Sequence, residues 1–150
     1  MKKGIRTLTI GLALLIIALL GLMAFVRLAP TDPAAWNTSP VAIAQTAPEG
    51  TVQPLTGGAT LWLGQGRGDP QTLLARLDTI ALATPRTTRL TGLPTEPRIT
   101  WATRSAFWGF PDYTTAEATP DGLYIHARQR FGREDMGVNA NRLTDWLSRL

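Results

Sequence analysis

The sequence predicts an α+β domain that follows a single N-terminal transmembrane helix. Three observations support this class: a run of twenty uncharged residues near the N-terminus, two segments with helical spacing of apolar residues, and strand-like segments between them. The strand-like segments are joined by short connections, which favours antiparallel pairing with one covered face. We therefore expect about four antiparallel strands packed with two helices.

The first two segments are a basic leader, residues 1–6, and an anchor, residues 7–26. A helix of this length extends about 30 Å, close to the thickness of the hydrocarbon core. Signal peptides have a shorter apolar segment and small residues at the cleavage site, whereas this run ends in Phe25, Val26 and Arg27. We predict an uncleaved single-pass anchor, with a cleaved signal peptide as the alternative.

Charge predicts the orientation of the anchor. Lys2, Lys3 and Arg6 precede the span and only Arg27 follows it closely, so the N-terminus should remain in the cytoplasm. In a bacterial inner membrane the rest of the chain would then be periplasmic. Without the three leader residues, twelve of the 15 basic residues remain against 11 acidic ones. With no long basic run and no array of stacking aromatics, we expect no nucleic-acid partner.

The composition also limits the chemistry. The chain has no cysteine, which excludes disulfides, thiolate metal sites and lipidation at cysteine. Residues 27–58 contain five prolines, a spacing that prevents regular structure and predicts an extended tether. Trp36 within it lies either at the membrane interface, where indole rings are enriched, or against the domain. Residues 59–150 form the predicted domain.

The domain begins with a short strand candidate, Thr60 to Leu63, and a glycine-rich loop. The loop has G-x-G-x-G spacing, unlike the G-x-G-x-x-G of dinucleotide sites. Asp69 and Pro70 follow it as a helix N-cap and first helical residue. The helix ends before Pro85. Its apolar stripe contains Leu73, Leu74, Leu77, Ile80 and Ala81. The positions predicted to face solvent are Arg76, Asp78 and Thr79.

Four strands and a final helix follow. The strands are predicted at residues 87–91, 98–104, 112–118 and 123–130. Alternation on the last strand puts Tyr124, His126, Arg128 and Arg130 on one face. Asn139 or Asn141 can cap the last helix, whose apolar stripe contains Leu143, Trp146, Leu147 and Leu150.

The connection RQRFGREDMGVNANR, residues 128–142, has two interpretations. It is either a structural corner, in which Asp135 pairs with a neighbouring arginine, or an anion pocket. For the pocket, Arg128 and Arg130 share a strand face and Arg142 lies near the positive end of the helix. The candidate ligand-binding residues are Arg128, Arg130, Arg142, Asp135, Asn139 and His126.

Catalytic signals are few. His126 is the only histidine, and neither a nucleophile motif nor metal-ligand spacing accompanies it. We therefore predict no catalytic residue, no metal ion and no cofactor. Phe107, Trp108 and Phe110 join two strands. They either fold over the core or form an exposed patch for a partner or a membrane.

Four segments carry a family resemblance: FVRLAPTDPAAW, DTIALATPRT, GFPDYTT and ARQRFGREDMGVNANR. Through them the chain, from about residue 25 to 150, resembles the DUF1499 proteins, small bacterial and plastid domains of unestablished function. The last segment matches the family pattern S-R-x-G-x-x-D-x-G-x-N-x-x-R except at Gln129, where serine is usual. A second departure is that residues 106–115 carry fewer charges than in many members. The matching residues are Arg130, Gly132, Asp135, Gly137, Asn139 and Arg142. The resemblance implies no catalytic residue.

We expect a membrane-tethered periplasmic domain that binds a partner, such as an envelope protein, or a small anionic ligand. Two alternatives remain open. One is an enzyme of unknown reaction that uses the Arg/Asp corner, and the other is a structural subunit of an envelope complex.

Overall fold

The computed structural model describes residues 2–150, with side chains from Gly4 onward. Met1 and the side chains of Lys2 and Lys3, part of the predicted leader, lie outside the described residues. Helix α1 spans Lys2–Leu28. Its Gly4–Leu28 part is long and apolar enough to cross a membrane, with a mean hydropathy of 2.7, and it is almost entirely exposed. Since a core helix would be buried, α1 has the character of a membrane anchor or a signal sequence.

The α+β class is confirmed, with six antiparallel strands instead of about four. The sheet order is β1-β2-β6-β5-β4-β3. The strands are β1 (Gln53–Leu55), β2 (Gly58–Gly64), β3 (Thr87–Thr91), β4 (Arg98–Arg104), β5 (Pro111–Thr119) and β6 (Gly122–Gln129). The uncounted strand β1 has only three residues and contains Pro54, which a strand tolerates at the edge of a sheet.

Two helices, α4 (Pro70–Ala83) and α5 (Val138–Arg149), cover one surface of the sheet, which we call the helix face. As predicted, Asp69 caps α4, accepting a hydrogen bond from Thr72 N at 2.8 Å. In the core between the layers the rings of Trp101 and Trp146 meet edge to face at 5.9 Å. The largest fully buried side chains include Trp101, Trp146, Leu61, Leu63, Leu74, Leu77, Ile99, Leu123, Ile125 and Leu143.

Asp78 departs from the expected solvent position on α4. It is only 4% exposed. Its Oδ1 accepts hydrogen bonds from Arg89 Nε at 3.0 Å and Trp101 Nε1 at 2.9 Å. Helical spacing alone misses this burial because the edge of α4 packs against β3, where Arg89 supplies the countercharge.

The opposite surface of the sheet is covered by residues 29–52, which we call the strap. The prolines of this segment predicted an extended tether without helices or strands, and this prediction was wrong. The strap contains two short helical turns, α2 (Pro33–Trp36) and α3 (Val41–Ala44), and Ala44 is fully buried. Trp36 packs on Tyr113 with ring centroids 4.1 Å apart, which is the second of its two predicted placements. The sheet offers hydroxyl and guanidinium donors to strap carbonyls, and this bonding orders the segment.

Candidate functional site

Arg128 and Arg130 hold the strap on the sheet. Arg128 Nη2 donates to Trp36 O at 2.6 Å, and its guanidinium carbon lies 5.2 Å from the Trp36 ring centroid. Arg130 donates to Pro30 O at 2.8 Å and to Thr31 Oγ1 at 2.9 Å. Burial lowers the pKa of Arg128. These two side chains, predicted to bind a ligand, therefore form hydrogen bonds that attach the strap to the sheet.

Asp135 organises the beginning of α5. Its carboxylate accepts from Gly137 N at 3.2 Å, Asn139 N at 2.9 Å and Asn139 Nδ2 at 2.8 Å. Although burial favours the neutral acid, these hydrogen bonds hold the pKa of Asp135 below its usual value. The expected cap by the side chain of Asn139 or Asn141 is thus replaced by Asp135. Asn139 is itself fully buried.

Arg142 forms a largely buried pair with Asp112. Arg142 Nη2 lies 3.1 Å from Asp112 Oδ2, and the two side chains are only 10% and 15% exposed. A second donor, Arg142 Nη1, lies 2.6 Å from Asn139 Oδ1. Burial raises the pKa of Asp112 even though Arg142 acts in the opposite direction.

The three arginines of the predicted anion pocket do not converge. Arg128 and Arg130 contact the strap on one side of the sheet, whereas Arg142 lies in α5 on the helix face. Among the residues that the structure describes, Asp135 forms no ion pair with an arginine, contrary to the expected pairing. The strand end and the helix end of the motif lie on opposite faces of the sheet. Their side chains form hydrogen bonds within the protein on each face.

His126 is also separate from this corner. It lies in register between Thr60 of β2 and Thr115 of β5, beneath the strap. Burial and the neighbouring Arg128 charge lower its pKa to about 4, so the imidazole is neutral at neutral pH. Since Asp135 lies on the helix side, the structure does not assemble His126, Arg128 and Asp135 into one site. Within the described residues no group of three or more His, Asp or Glu side chains could hold a metal ion.

A cleft of about 810 Å³ opens beside the Asp112–Arg142 pair. We call it the corner cleft. Its walls are the loop 105–110 and the segment 131–138, and Arg86 and Arg104 also line it. The apolar part of the lining includes Phe110, Phe131, Met136 and Val138.

The three rings of the predicted aromatic patch differ in their surroundings: Phe107 faces solvent and Phe110 lines the cleft. Phe107 is 67% exposed, while Trp108 is half-buried between Phe107 and Phe110. Phe110 contacts Phe131 across the cleft at a centroid distance of 5.9 Å. Arg27 Nη2 bonds to Phe107 O at 2.9 Å, which attaches this loop to the end of α1. Phe107 is thus exposed, whereas Trp108 and Phe110 are half-buried within the loop and at the cleft.

Sequence reasoning missed several cleft residues, notably Arg86, Arg104 and Asp112. Arg86 has a positive φ of 60°, and no pattern in the sequence predicts this conformation for an arginine. Asp112 offered one signal, since a carboxylate within an otherwise Thr- and Ala-rich strand requires a partner when it is buried.

The comparisons with known proteins gave one family. Searches of curated proteins and of solved structures found no match. A family model described as "Protein of unknown function (DUF1499)" matches residues 26–150. The chain therefore belongs to the DUF1499 family, whose function is uncharacterised.

Proposed function

We propose that the chain is a membrane-anchored protein whose domain lies outside the cytoplasm and binds a small ligand in the corner cleft. The apolar part of helix α1 and the basic residues near its N-terminal end support anchoring with a cytoplasmic N-terminus. In a bacterial inner membrane the domain would occupy the periplasm.

The corner cleft is the observation that carries this proposal. Its volume of about 810 Å³ falls within the range of small-molecule sites, roughly 300–1,000 Å³. The largely buried Asp112–Arg142 pair is part of its lining. Concave sites that contain ionisable groups with shifted pKa values, as Asp112 and Asp135 have, are frequently functional.

The backbone supports the same location. Arg86 and Met136, with φ of 60° and 51°, are the non-glycine residues of the described chain with positive φ, and both line the cleft. Such conformations cost free energy and persist only where the surroundings enforce them. Met136 is also 92% exposed, so burial of its own side chain does not explain the strain.

The lining indicates the ligand class. Phe110, Phe131 and Val138 suit an apolar portion. Arg86 Nε and Arg104 Nη1 donate to backbone carbonyls at 3.1 and 3.0 Å, and in the described chain neither pairs with a carboxylate. Three carboxylates of the lining, Asp112, Asp135 and Asp145, are bonded internally. The remaining donors of the two arginines therefore suit a carboxylate or phosphate of a ligand. We therefore infer a small molecule with both an apolar part and an anionic group.

A thermal-shift experiment on the full chain in phosphatidylcholine nanodiscs tests the proposal. The probes are benzoate, which has both features, benzyl alcohol, which has no charge, and acetate, which has no ring. Benzoate should raise the unfolding midpoint more than the other two.

Two matched variants locate the effect. Val138→Trp fills the cleft from a position that is 48% exposed, and Leu82→Trp adds the same ring at an exposed position of α4 outside the cleft. The benzoate shift should disappear in Val138→Trp and persist in Leu82→Trp. An unchanged benzoate shift in a folded Val138→Trp protein would exclude the cleft as the site.

The alternatives have weaker support. An enzyme built from Arg128, Arg130, Asp135 and His126 would require side chains from both sides of the sheet. A structural subunit of an envelope complex is supported by the exposed Phe107. The attachment of this loop to Arg27 at the end of α1 favours contact with the membrane surface instead.

A further inference from the structure

A second recess, which we call the junction recess, lies where α1 meets the sheet. Its volume is about 530 Å³, and its lining includes Arg27, Arg86, Arg104, Ser105 and Gly109. No acidic residue contributes to the lining. Three guanidinium groups therefore face a space that offers no countercharge.

The bonds of these arginines leave donors available. Arg27 donates to Phe107 O at 2.9 Å and Trp108 O at 3.4 Å. Arg104 and Arg86 each donate to a single backbone carbonyl, at 3.0 and 3.1 Å. In the part of the chain that the structure describes, none of the three forms an ion pair. Because a guanidinium has five N–H donors, most of the donors remain free to bind an anion.

The backbone brings these groups close together. Gly109 has φ of 78°, and a Cβ atom there would lie 2.9 Å from both Cγ and Nε of Arg27. The absence of a side chain at Gly109 thus lets the loop pack directly on Arg27. Neighbouring positive charges without a partner repel one another, so an anion bound between them would be favourable.

The position of the recess suggests the source of the anion. Arg27 lies in the last turn of α1, which is the apolar helix. Phe25, two residues before Arg27, and Phe107, whose carbonyl accepts from Arg27, are 62% and 67% exposed. When α1 crosses a bilayer, an arginine at its end lies at the level of the headgroups, with the flanking aromatic rings at the interface.

We infer that the junction recess binds the phosphate of an anionic lipid headgroup and thereby fixes the domain against the membrane surface. Arg27, Arg86 and Arg104 supply charge-assisted hydrogen bonds to the phosphate oxygens. Phe107 rests in the interface beside them. The two recesses share Arg86 and Arg104, whereas Arg27 lines only the junction recess. Substitution of Arg27 therefore tests lipid binding without changing the lining of the corner cleft.

The test compares the full chain in nanodiscs of phosphatidylcholine and of phosphatidylglycerol by its unfolding midpoint. The wild type should unfold about 2–4 °C higher in phosphatidylglycerol. Arg27→Gln and Arg86→Asn should each remove at least half of this difference. Asparagine is chosen at position 86 because it tolerates positive φ.

The control is Arg76→Gln, which changes the net charge equally at an exposed position outside the recess. It should keep the full lipid-dependent difference, as should Val138→Trp, which blocks only the corner cleft. Equal differences in Arg27→Gln, Arg86→Asn and Arg76→Gln would overturn the inference, since only a general attraction to anionic lipid would remain.

A third arm separates lipid from soluble phosphate. Inorganic phosphate is added to the protein in phosphatidylcholine nanodiscs, and it should leave the midpoint unchanged. If inorganic phosphate reproduces the phosphatidylglycerol shift in the wild type and fails in Arg27→Gln, the occupant is a soluble anion and the lipid assignment is wrong.

Discussion

Arg128 donates a hydrogen bond of 2.6 Å to the backbone carbonyl of Trp36, a residue 92 positions earlier in the chain, and its guanidinium lies over the Trp36 ring. The Trp36 carbonyl also accepts from Thr115 Oγ1 at 2.9 Å. One carbonyl of the strap thus joins strands β5 and β6. The proline-rich segment after α1 is part of the folded domain, and this restricts how far the domain can move from the end of α1.

Arg128→Ala should destabilise the domain by about 2–4 kcal/mol, because the variant loses several hydrogen bonds and a cation–π contact. Arg128→Lys keeps the charge but lacks the planar fork, so an intermediate loss is expected. Chemical unfolding measures both changes, and limited proteolysis reports whether the strap has detached.

The matched control is Arg76→Ala, an exposed arginine whose removal should cost less than about 0.5 kcal/mol. If the strap in Arg128→Ala resists protease as it does in the wild type, the strap is held by its apolar contacts and not by Arg128.

The predictable part of the fold depended on local periodicity. The apolar stripe of α4 and the alternation on β4 and β6 repeat within a few residues, so their spacing predicted the elements and the core face of each strand. The expectation of a single covered face was wrong, because residues on both faces of β4 and β6 are buried. The strap has no such period. Its order depends on donors about 60 to 100 positions away, such as Thr100 to Asn37 and Arg130 to Pro30, and single-sequence spacing contains no trace of them.

The candidate site was predicted less well for a related reason. Arg128 and Arg142 are neighbours in one motif, but the chain turns between them and places them on opposite sides of the sheet. Proximity in sequence was therefore a poor guide to proximity in space. Arg27 and Arg86 reach the junction recess from distant elements, which only the tertiary structure reveals.

Asp78→Ala should be among the most destabilising single substitutions, with a loss of about 3–5 kcal/mol. Asp78 is 4% exposed and pairs with Arg89 and with the indole N–H of Trp101. Its removal leaves the buried indole N–H of Trp101 and the partly exposed guanidinium of Arg89 without a partner. Equilibrium unfolding in urea measures the loss.

Asp78→Asn keeps one acceptor oxygen and should lose less. Glu96→Ala, which removes an exposed carboxylate, should be nearly neutral. A cost below about 1 kcal/mol for Asp78→Ala would contradict the importance of the pair.

Acidification should weaken the fold through His126. Its pKa falls from 6.5 to about 4 in the folded protein, so between these values the unfolded chain binds a proton that the folded chain does not. Stability is then complete above pH 6.5 and decreases by about 2–3 kcal/mol as the pH falls to about 4. Unfolding free energies across this range measure the slope.

His126→Gln should reduce that slope while leaving the stability near pH 7.5 comparable. The comparison isolates His126 because Asp112, whose pKa is raised, contributes with the opposite sign in both proteins. Parallel pH profiles for the wild type and His126→Gln would show that the imidazole does not titrate differently on unfolding.

Asp135→Ala should lower stability by about 1–2 kcal/mol, the usual cost of losing a helix cap. The carboxylate accepts from Gly137 N and from two nitrogen atoms of the buried Asn139. Because the folded pKa of Asp135 is lowered, its contribution is present above its ordinary value of 3.8 and is lost as the pH falls through the folded pKa. The difference in unfolding free energy between the wild type and Asp135→Ala should therefore become smaller in strong acid.

Glu134→Ala is the matched control, since it removes an adjacent exposed carboxylate for which no ion pair is found in the described chain. It should leave stability within about 0.5 kcal/mol of the wild type. Because Asn139 also accepts from Arg142 at 2.6 Å, releasing Asn139 should loosen the Arg142–Asp112 pair beside the corner cleft. Benzoate binding should then be weaker in Asp135→Ala than in the wild type, and equal benzoate binding in these two proteins would show that the helix cap does not affect the cleft.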